Sequence, residues 1–473
     1  MPEQNNVETQ PTGLKKSLRL VYVYAIAAGA IFTFIGYWDT IFYEYCGAGT
    51  FLGFALMTLL ILPIAMVYCE LAPLFPKAGG ELIYNTVGIN KHVGFFSSWL
   101  IMAAWIAVPP SAVMAIVQWL FHVLHVPTSF LLIEVVALVS LVGYCMLSLQ
   151  NVEIAGKIQL YMLMFAIGGC LVATVAFLFS GVWSWDNFQN FFYTQVEGHF
   201  GIPGWVIGMA LLITPFFGFE TVPQMVEEGD FPIKDSNKAI LGSIVTCGII
   251  YALFFFGLGG MPVQPLGEEG GAAVGGFLAI TMMEQLGGGW GVFAVVFGIA
   301  AILCAIGTCL LGFWLSTVRL LYAMGENNFL PKVFTKVNRH QQPILPNILL
   351  LAISLVFLLL QNATTFMNDF FNLMSFGCAC AYAITMISAM RIHKSHPELT
   401  SPYKLKGGNF TRVLALIISV VIAFFCTLGQ SAGSWKSFGI YIGIGALLWL
   451  WMVCVNWKKH KVTIETVAGT KEY

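Results

Sequence analysis

Charge is what this chain lacks most. Asp, Glu, Lys and Arg make up 10% of its 473 residues, where a soluble domain carries about 25%, and a water-soluble globular fold is excluded. Cysteine is present without any metal or redox spacing. The eleven cysteines are scattered, no CxxC pair occurs, and Cys378 and Cys380 are simply two apart, so neither a disulfide framework nor a zinc site is expected. No polar linker or low-complexity stretch divides the chain, which leaves no soluble module for catalysis or nucleic-acid binding. The first 20 residues are polar and lead to no small-residue cleavage site, so no removable signal peptide is expected.

Catalytic signatures are missing as well. The string GQSAG (429–433) fits a nucleophile-elbow pattern in form only, because no strand precedes it and no His is near. His122 with His125, and His393 with His396, are pairs at helix ends without a third ligand. All eight histidines fall at the ends of apolar stretches or in loops, which argues against a buried histidine proton relay. No cofactor and no metal is implied.

What fills the chain instead is apolar. Hydrophobic residues make up 58% and the mean hydropathy is +0.82. They gather in twelve stretches, 19–45, 50–73, 94–123, 128–147, 156–181, 204–226, 239–261, 289–323, 346–362, 367–391, 410–430 and 437–456. Each has the ~17 or more residues that a helix needs to cross a hydrocarbon core. Continuous runs of this kind rule out the alternating strands of a membrane barrel. The expected fold is an all-α membrane protein with twelve transmembrane helices. Of the 22 Lys and Arg, all but Lys436 then fall at the two ends or in the loops of one face. That asymmetry predicts cytoplasmic N- and C-termini in a multi-pass protein of the plasma membrane. The organisation reads as a tail 1–18, one transmembrane domain 19–456 and a tail 457–473. Two connections stand out: 75–92, expected to hold a short helix in the cytoplasmic mouth, and the glycine-rich 263–289, a candidate external lid.

Two stretches share an interruption. The first reads AIAAGAIFTFIGYWDTIFYEY (25–45), with Gly29, Gly36 and then Asp39; the sixth reads ALLITPFFGFETVPQ (210–224), with Pro215, Gly218, Glu220 and Pro223. They are five stretches apart and so enter the bilayer from opposite faces. Matched breaks in inverted halves mark the midplane site of a transporter, since unwound backbone is tolerated there only where it is buried or lines a cavity. The plainer reading is that glycines are common in membrane helices and prolines merely kink them.

At these residues the chain resembles the amino acid–polyamine–organocation superfamily over about residues 15 to 412. The resemblance rests on ELAPLFPKAGGELIYNTVG (70–88), FFGFETVPQMVEEGDFPIKDSNKAI (216–240), STVRLLYAMGENNFLPKVFTKVN (316–338) and MRIHKSHPELTSPYKL (390–405). It implies a LeuT-type fold: inverted five-helix repeats at about 19–181 and 204–391, broken helices 1 and 6, and two further helices over 410–456. Where the family has a Gly-Ser-Gly-like break in helix 1, this chain has Phe34-Ile35-Gly36, and substrate identity is thereby left open.

The resemblance also implies roles. Phe216 and Phe217 stand where the family places an aromatic that closes over the substrate, and Glu220 where it has a coupling glutamate. Phe313 stands where some relatives have a gating aromatic. From the residues alone, an ionisable Glu220 at membrane depth reads as functional, or as a neutral acid tying stretch 6 to stretch 1. Asp39 would either pair with a substrate ammonium or sit in water at the outer mouth. The candidate substrate-binding set is Ile31, Phe34, Gly36, Asp39, Phe216, Phe217, Gly218, Phe219 and Phe313, with Glu220 and Phe216 for gating and coupling.

The function implied is secondary active transport of an amino acid or related amine by alternating access. Sodium-independent relatives often carry a lysine in helix 5. Here Lys157 lies only at the start of that stretch and the matching core position falls near Ala166, which favours an exchanger or a proton-coupled permease and leaves sodium coupling open. A channel, or an intramembrane enzyme acting on a small amine, is the alternative. No Lys or Arg stands at the midplane, which points to zwitterionic amino acids or amines rather than dicarboxylates. The expected partners are that solute and the lipid bilayer, with no nucleic acid; a homodimer is left open.

Overall fold

The computed structural model describes residues 13–32, 35–126, 130–262, 277–363 and 366–473. In chain order the helices are α1 (Leu20–Ile31), α2 (Asp39–Cys46), α3 (Thr50–Leu71), α4 (Glu81–Gly88), α5 (Lys91–Val123), α6 (Phe130–Ser148) and α7 (Val152–Leu178). Then follow α8 (Gly204–Leu211), α9 (Thr221–Met225), α10 (Ser236–Gly259), α11 (Leu278–Leu286), α12 (Gly289–Gly298) and α13 (Gly307–Glu326). The last four are α14 (Ile344–Ala363), α15 (Phe366–Ser395), α16 (Asn409–Thr427) and α17 (Ala432–Trp451).

Among the described residues, ten helical segments are long and apolar enough to cross a membrane, and two shorter apolar helices, Leu20–Ile31 and Ile344–Leu360, accompany them. The chain is a multi-pass membrane protein. Local polar residues set several starts: Asn90 accepts from Val93 N at the head of α5, Asn151 from Glu153 N at α7, and Ser431 from Ser434 N at α17, each satisfying an amide that the helix leaves unpaired. The short helix expected in 75–92 is α4. Of the glycine-rich connection, 263–276 lies outside the described residues, and its end is α11.

Burial sorts the helices into an inner and an outer set. Every residue of α13 from Gly307 to Gly325 is buried, and α1 packs between α7, α10 and α13. On α6 and α17 the apolar side chains face outward, with Leu131 70% and Leu447 69% exposed. Helices that are apolar on all sides and exposed on one need an apolar medium around them. Between α12 and α13 the helix widens into a π-helical stretch, Ile299–Ile306; such departures gather at functional sites.

The chain is not wholly α. The expected tail 457–473 contains an antiparallel hairpin, Thr463–Thr466 with Gly469–Glu472, whose first strand is mostly β-branched (TIET) and which turns at Val467-Ala468. It is docked rather than loose. Val467 N donates to Leu74 O at 3.1 Å, Asn328 Nδ2 to Lys461 O at 2.7 Å, and Lys91 Nζ to Tyr473 O at 3.4 Å. Lys471 also meets Glu398, and its hydrogen bond leads the causes that hold the Glu398 carboxyl down at about 2. At the other chain end, Ser17 N and Leu18 N both donate to Glu228 O at 2.9 Å. Both ends therefore lie on one face, here the terminal face.

Two ion clusters close that face. Glu228 and Arg319 pair at 2.7 and 3.0 Å, and Gln342 accepts a further bond from Arg319 at 2.6 Å; both charged side chains are fully buried. Lys77, in the turn before α4, bridges Glu227 at 3.0 Å and Glu326 at 2.9 Å. Partial burial works against its charged form, but the two carboxylates outweigh it and raise its ammonium above the ordinary lysine range. The acidic run after Pro223 is therefore a clamp that joins the sixth stretch to the eighth and to α4.

Arg319→Met should strand Glu228 as a buried unpaired charge and destabilise the protein by about 3–5 kcal/mol. Thermal unfolding in detergent checks this, and the double change Arg319→Met with Glu228→Leu should recover most of the loss.

Candidate binding site at two broken helices

The break in the first stretch runs from the end of α1 at Ile31 to the start of α2 at Asp39, and Phe34 lies outside the described residues. Side chains of α10 reach carbonyls at this helix end: Tyr251 donates its hydroxyl to Ile31 O at 2.6 Å, and Cys247 its thiol at 3.4 Å to Ala28 O, which also accepts from Phe32 N at 2.7 Å. Gly36 lies against Ala301 of the π-helical stretch.

The break in the sixth stretch falls between the 3-10 turn Thr214–Phe216 and α9. Pro215 opens that turn. Pro223 does not interrupt the helix as expected. It stands in the first turn of α9, where its missing N–H has no intrahelical partner to lose. At the open residues, Thr221 donates through both N (3.1 Å) and Oγ1 (2.7 Å) to Gly218 O. Backbone groups at membrane depth are thus satisfied from within the protein.

The two breaks meet at Gly218. Its φ is +146°, and a Cβ there would lie 2.9 Å from Ala30 Cβ and 3.0 Å from both Ala30 C and Ile31 N. Only glycine lets the sixth stretch lie on the end of α1 at this distance.

Glu220 sits two residues on and is fully buried. Its Oε2 accepts from Gly218 N at 2.7 Å and from the Tyr382 hydroxyl at 2.9 Å; its Oε1 accepts from Trp105 Nε1 at 3.3 Å. Three donors converge on one acceptor. The carboxyl therefore joins the break to α5 and α15, and the expected tie to the first stretch is not the one formed. Trp105, Tyr382 and Tyr251 were missed in the sequence reading. The available signal was faint: polar-tipped aromatics inside otherwise apolar helices.

Rings line both sides of the crossing. Phe217 meets Tyr382 edge-on at 5.5 Å, and Phe219 lies between Tyr68 at 5.2 Å and Tyr382 at 5.5 Å. Phe216 turns the other way, toward Phe54 at 6.2 Å and Tyr251 at 6.0 Å. Phe313 is buried on α13 beside Gly312, where α13 comes within 3.1 Å of Ile26 O as a Cβ would see it. Ile31, Phe216, Phe217, Gly218, Phe219 and Glu220 are thus brought to one place.

Asp39 is elsewhere, and it is not in water. It is fully buried. Its Oδ1 accepts from Thr40 N at 3.0 Å and Leu278 N at 3.1 Å, and its Oδ2 from Ala279 N at 3.1 Å. A carboxylate on the first amides of α11 satisfies groups that a helix start leaves open and complements the helix dipole. Asp39 is an anchor for α11 in this arrangement, and His122 holds the other end of α11 through Glu284 at 2.9 Å. Among the described residues no group of three His, Cys, Asp or Glu comes together for a metal ion.

Glu220→Gln places an amide N–H against one of three donors. Losing one bond to a charged group is worth about 1.5–3 kcal/mol, so solute turnover should fall at least about tenfold while solute binding persists. Isotope uptake and calorimetry on the same preparation separate the two. Gly218→Ala should abolish uptake, because its Cβ has no space and its backbone no relaxed conformation.

The family described as amino acid permease matches residues 18–450. The methylthioribose transporter of Bacillus subtilis (strain 168) is 22% identical over 91% of this chain and 91% of its own. The glutamate/serine transporter AimA of the same organism is 24% identical over 87% of this chain and 80% of its own. The aspartate-proton symporter, also from that organism, is 24% identical over 84% of this chain and 75% of its own. These relatives are transporters, not enzymes. The chain belongs to the amino acid permease family of the amino acid–polyamine–organocation superfamily.

Proposed function

We propose that the protein is a twelve-helix secondary transporter that carries an amino acid or related amine across the plasma membrane by alternating access. In this reading the inverted repeats are 19–181 and 204–391, helices over 410–456 complete the bundle, and the terminal face is cytoplasmic. The observation that carries it is the crossing at Gly218, where two interrupted helices lie against each other between aromatic rings. The clamp of Lys77, Glu227, Glu228 and Arg319 then makes the cytoplasmic side the closed one.

The relatives named above are a methylthioribose transporter, a glutamate/serine transporter and an aspartate-proton symporter, so membership alone does not choose the solute. The chain's own chemistry supports a neutral amino acid or an amine. The buried cations Arg319 and Arg412 are engaged by Glu228 and Glu70, the partly buried Lys77 by Glu227 and Glu326, and Lys157 pairs with Glu153 at 2.8 Å at the start of α7. A second carboxylate on the solute would find no cation of its own, whereas an ammonium would find ring faces. With Ala166 buried in α7 where a coupling lysine would stand, exchange or proton coupling through Glu220 is the supported mode.

A thermal-shift screen identifies the solute, since a ligand at about 100 times its Kd stabilises by about 2.7 kcal/mol. Neutral amino acids or amines should stabilise the protein more than glutamate or aspartate does; the reverse order defeats the argument from missing cations. In proteoliposomes, uptake should be saturable, stereospecific and faster when the lumen is preloaded with solute. A channel would show no such stimulation. Phe217→Ala should raise the apparent KM while leaving the amount of folded protein unchanged.

A further inference from the structure

Glu81 is the first residue of α4, directly after the Gly79–Gly80 turn, and is fully buried. Neither of its carboxyl oxygens makes a well-formed hydrogen bond, and the same holds for both amide atoms of Gln224 and for the Tyr68 hydroxyl, which faces both Glu81 and Thr385. These side chains come from α4, α9 and α3, and the turn brings them together. At Gly80, φ is +41° and a Cβ would lie 2.7 Å from Gln224 Nε2 and 3.4 Å from Pro223 Cβ, so α9 rests directly on the turn. Tyr68 faces Glu81, and Glu220 is within Coulomb reach of it.

Buried polar groups are nearly always satisfied, and a group of exceptions calls for a reason. An ionised Glu81 with no cation beside it and only the Tyr68 hydroxyl to turn to, in the field of Glu220, would forfeit several kcal/mol. In the closed arrangement it therefore carries a proton.

We propose that Glu81 is a second proton-carrying carboxylate of the transport cycle, which exchanges its proton with the cytoplasm when α9 lifts from the Gly79–Gly80 turn. The inference rests on the alternating-access reading above. On opening, the Glu81 O–H bond breaks, the electron pair stays on the carboxylate, the proton passes to water, and the same water satisfies Tyr68 and Gln224. Closing requires the proton back. The ionisable groups facing Glu81 are Tyr68 on α3, Tyr84 on its own helix, Glu220, and Cys378 on α15. Helix α5 presents Gly94 and Ser97 to α4, the latter hydrogen-bonded to Asn85. Lys77 is held by Glu227 and Glu326.

The test compares the parent with Glu81→Gln, which keeps the shape of the neutral acid, at about pH 6 and about pH 8 on the cytoplasmic side, a span in which buried carboxyls titrate. The parent's uptake rate should change with that pH, while Glu81→Gln should show a markedly weaker dependence, keeping only the part that Glu220 carries, and should keep the parent's affinity for solute at the outer side. A merely structural Glu81 would lower the rate and leave the pH profile as in the parent, which overturns the proposal. Hydrogen exchange of segment 75–90, corrected for intrinsic rates, reads opening without any solute. It should rise with pH in the parent and stay level in Glu81→Gln; equal responses also overturn the proposal. If the parent takes up no amino acid or amine at either pH, the transport reading fails on its own, and the exchange comparison still decides Glu81.

Discussion

The contact of Gly218 with the end of α1 is the constraint on which the rest of the site depends. A helix broken at membrane depth exposes amides and carbonyls that lipid cannot satisfy. Here two broken helices lie against each other at 2.9–3.0 Å from a virtual Cβ, so each buries the other's open backbone. What the pair leaves unmet is taken up by side chains from neighbouring helices: Tyr251 on Ile31 O, Thr221 on Gly218 O, and Glu220 on Gly218 N.

Because the crossing is held through so few groups, it can be coupled to both faces. Glu220 passes the position of the sixth stretch to α5 and α15 through Trp105 and Tyr382. A few residues further on, Glu227 and Glu228 pass it to the turn before α4 and to α13. On the far side Asp39 fixes the start of α11 to the beginning of α2. One short segment, 216–228, therefore touches the break, the aromatic lining and the terminal clamp, and its movement would be felt at each.

Much of this was legible in the sequence, and for a physical reason. Apolar stretches long enough to cross a bilayer have no other stable use, so helix positions followed from composition. Glycine and proline beside an ionisable residue, as in FFGFETVP, are costly at membrane depth and so point to a site. Partners were not legible. Glu220 was visible as an isolated acid, but Trp105 and Tyr382 lie 115 and 162 residues away along the chain and belong to stretches that read as plain packing. From the sequence Asp39 reads as a solute or solvent contact, because the amides it caps, Leu278 and Ala279, are backbone groups and leave no mark there. The hairpin at 463–472 was passed over as tail because its pattern is only four residues long on each side.

The central claim is that the solute binds where the broken helices cross, against Phe217. The most direct measurement is thiol labelling of a Phe217→Cys variant whose eleven native cysteines have been replaced and which still transports. The account predicts that saturating solute slows labelling at 217 and leaves labelling of a cysteine placed at the lipid-facing Leu447 unchanged. If the variant transports the solute while labelling at 217 keeps the same rate with and without it, the solute binds elsewhere and the account is contradicted.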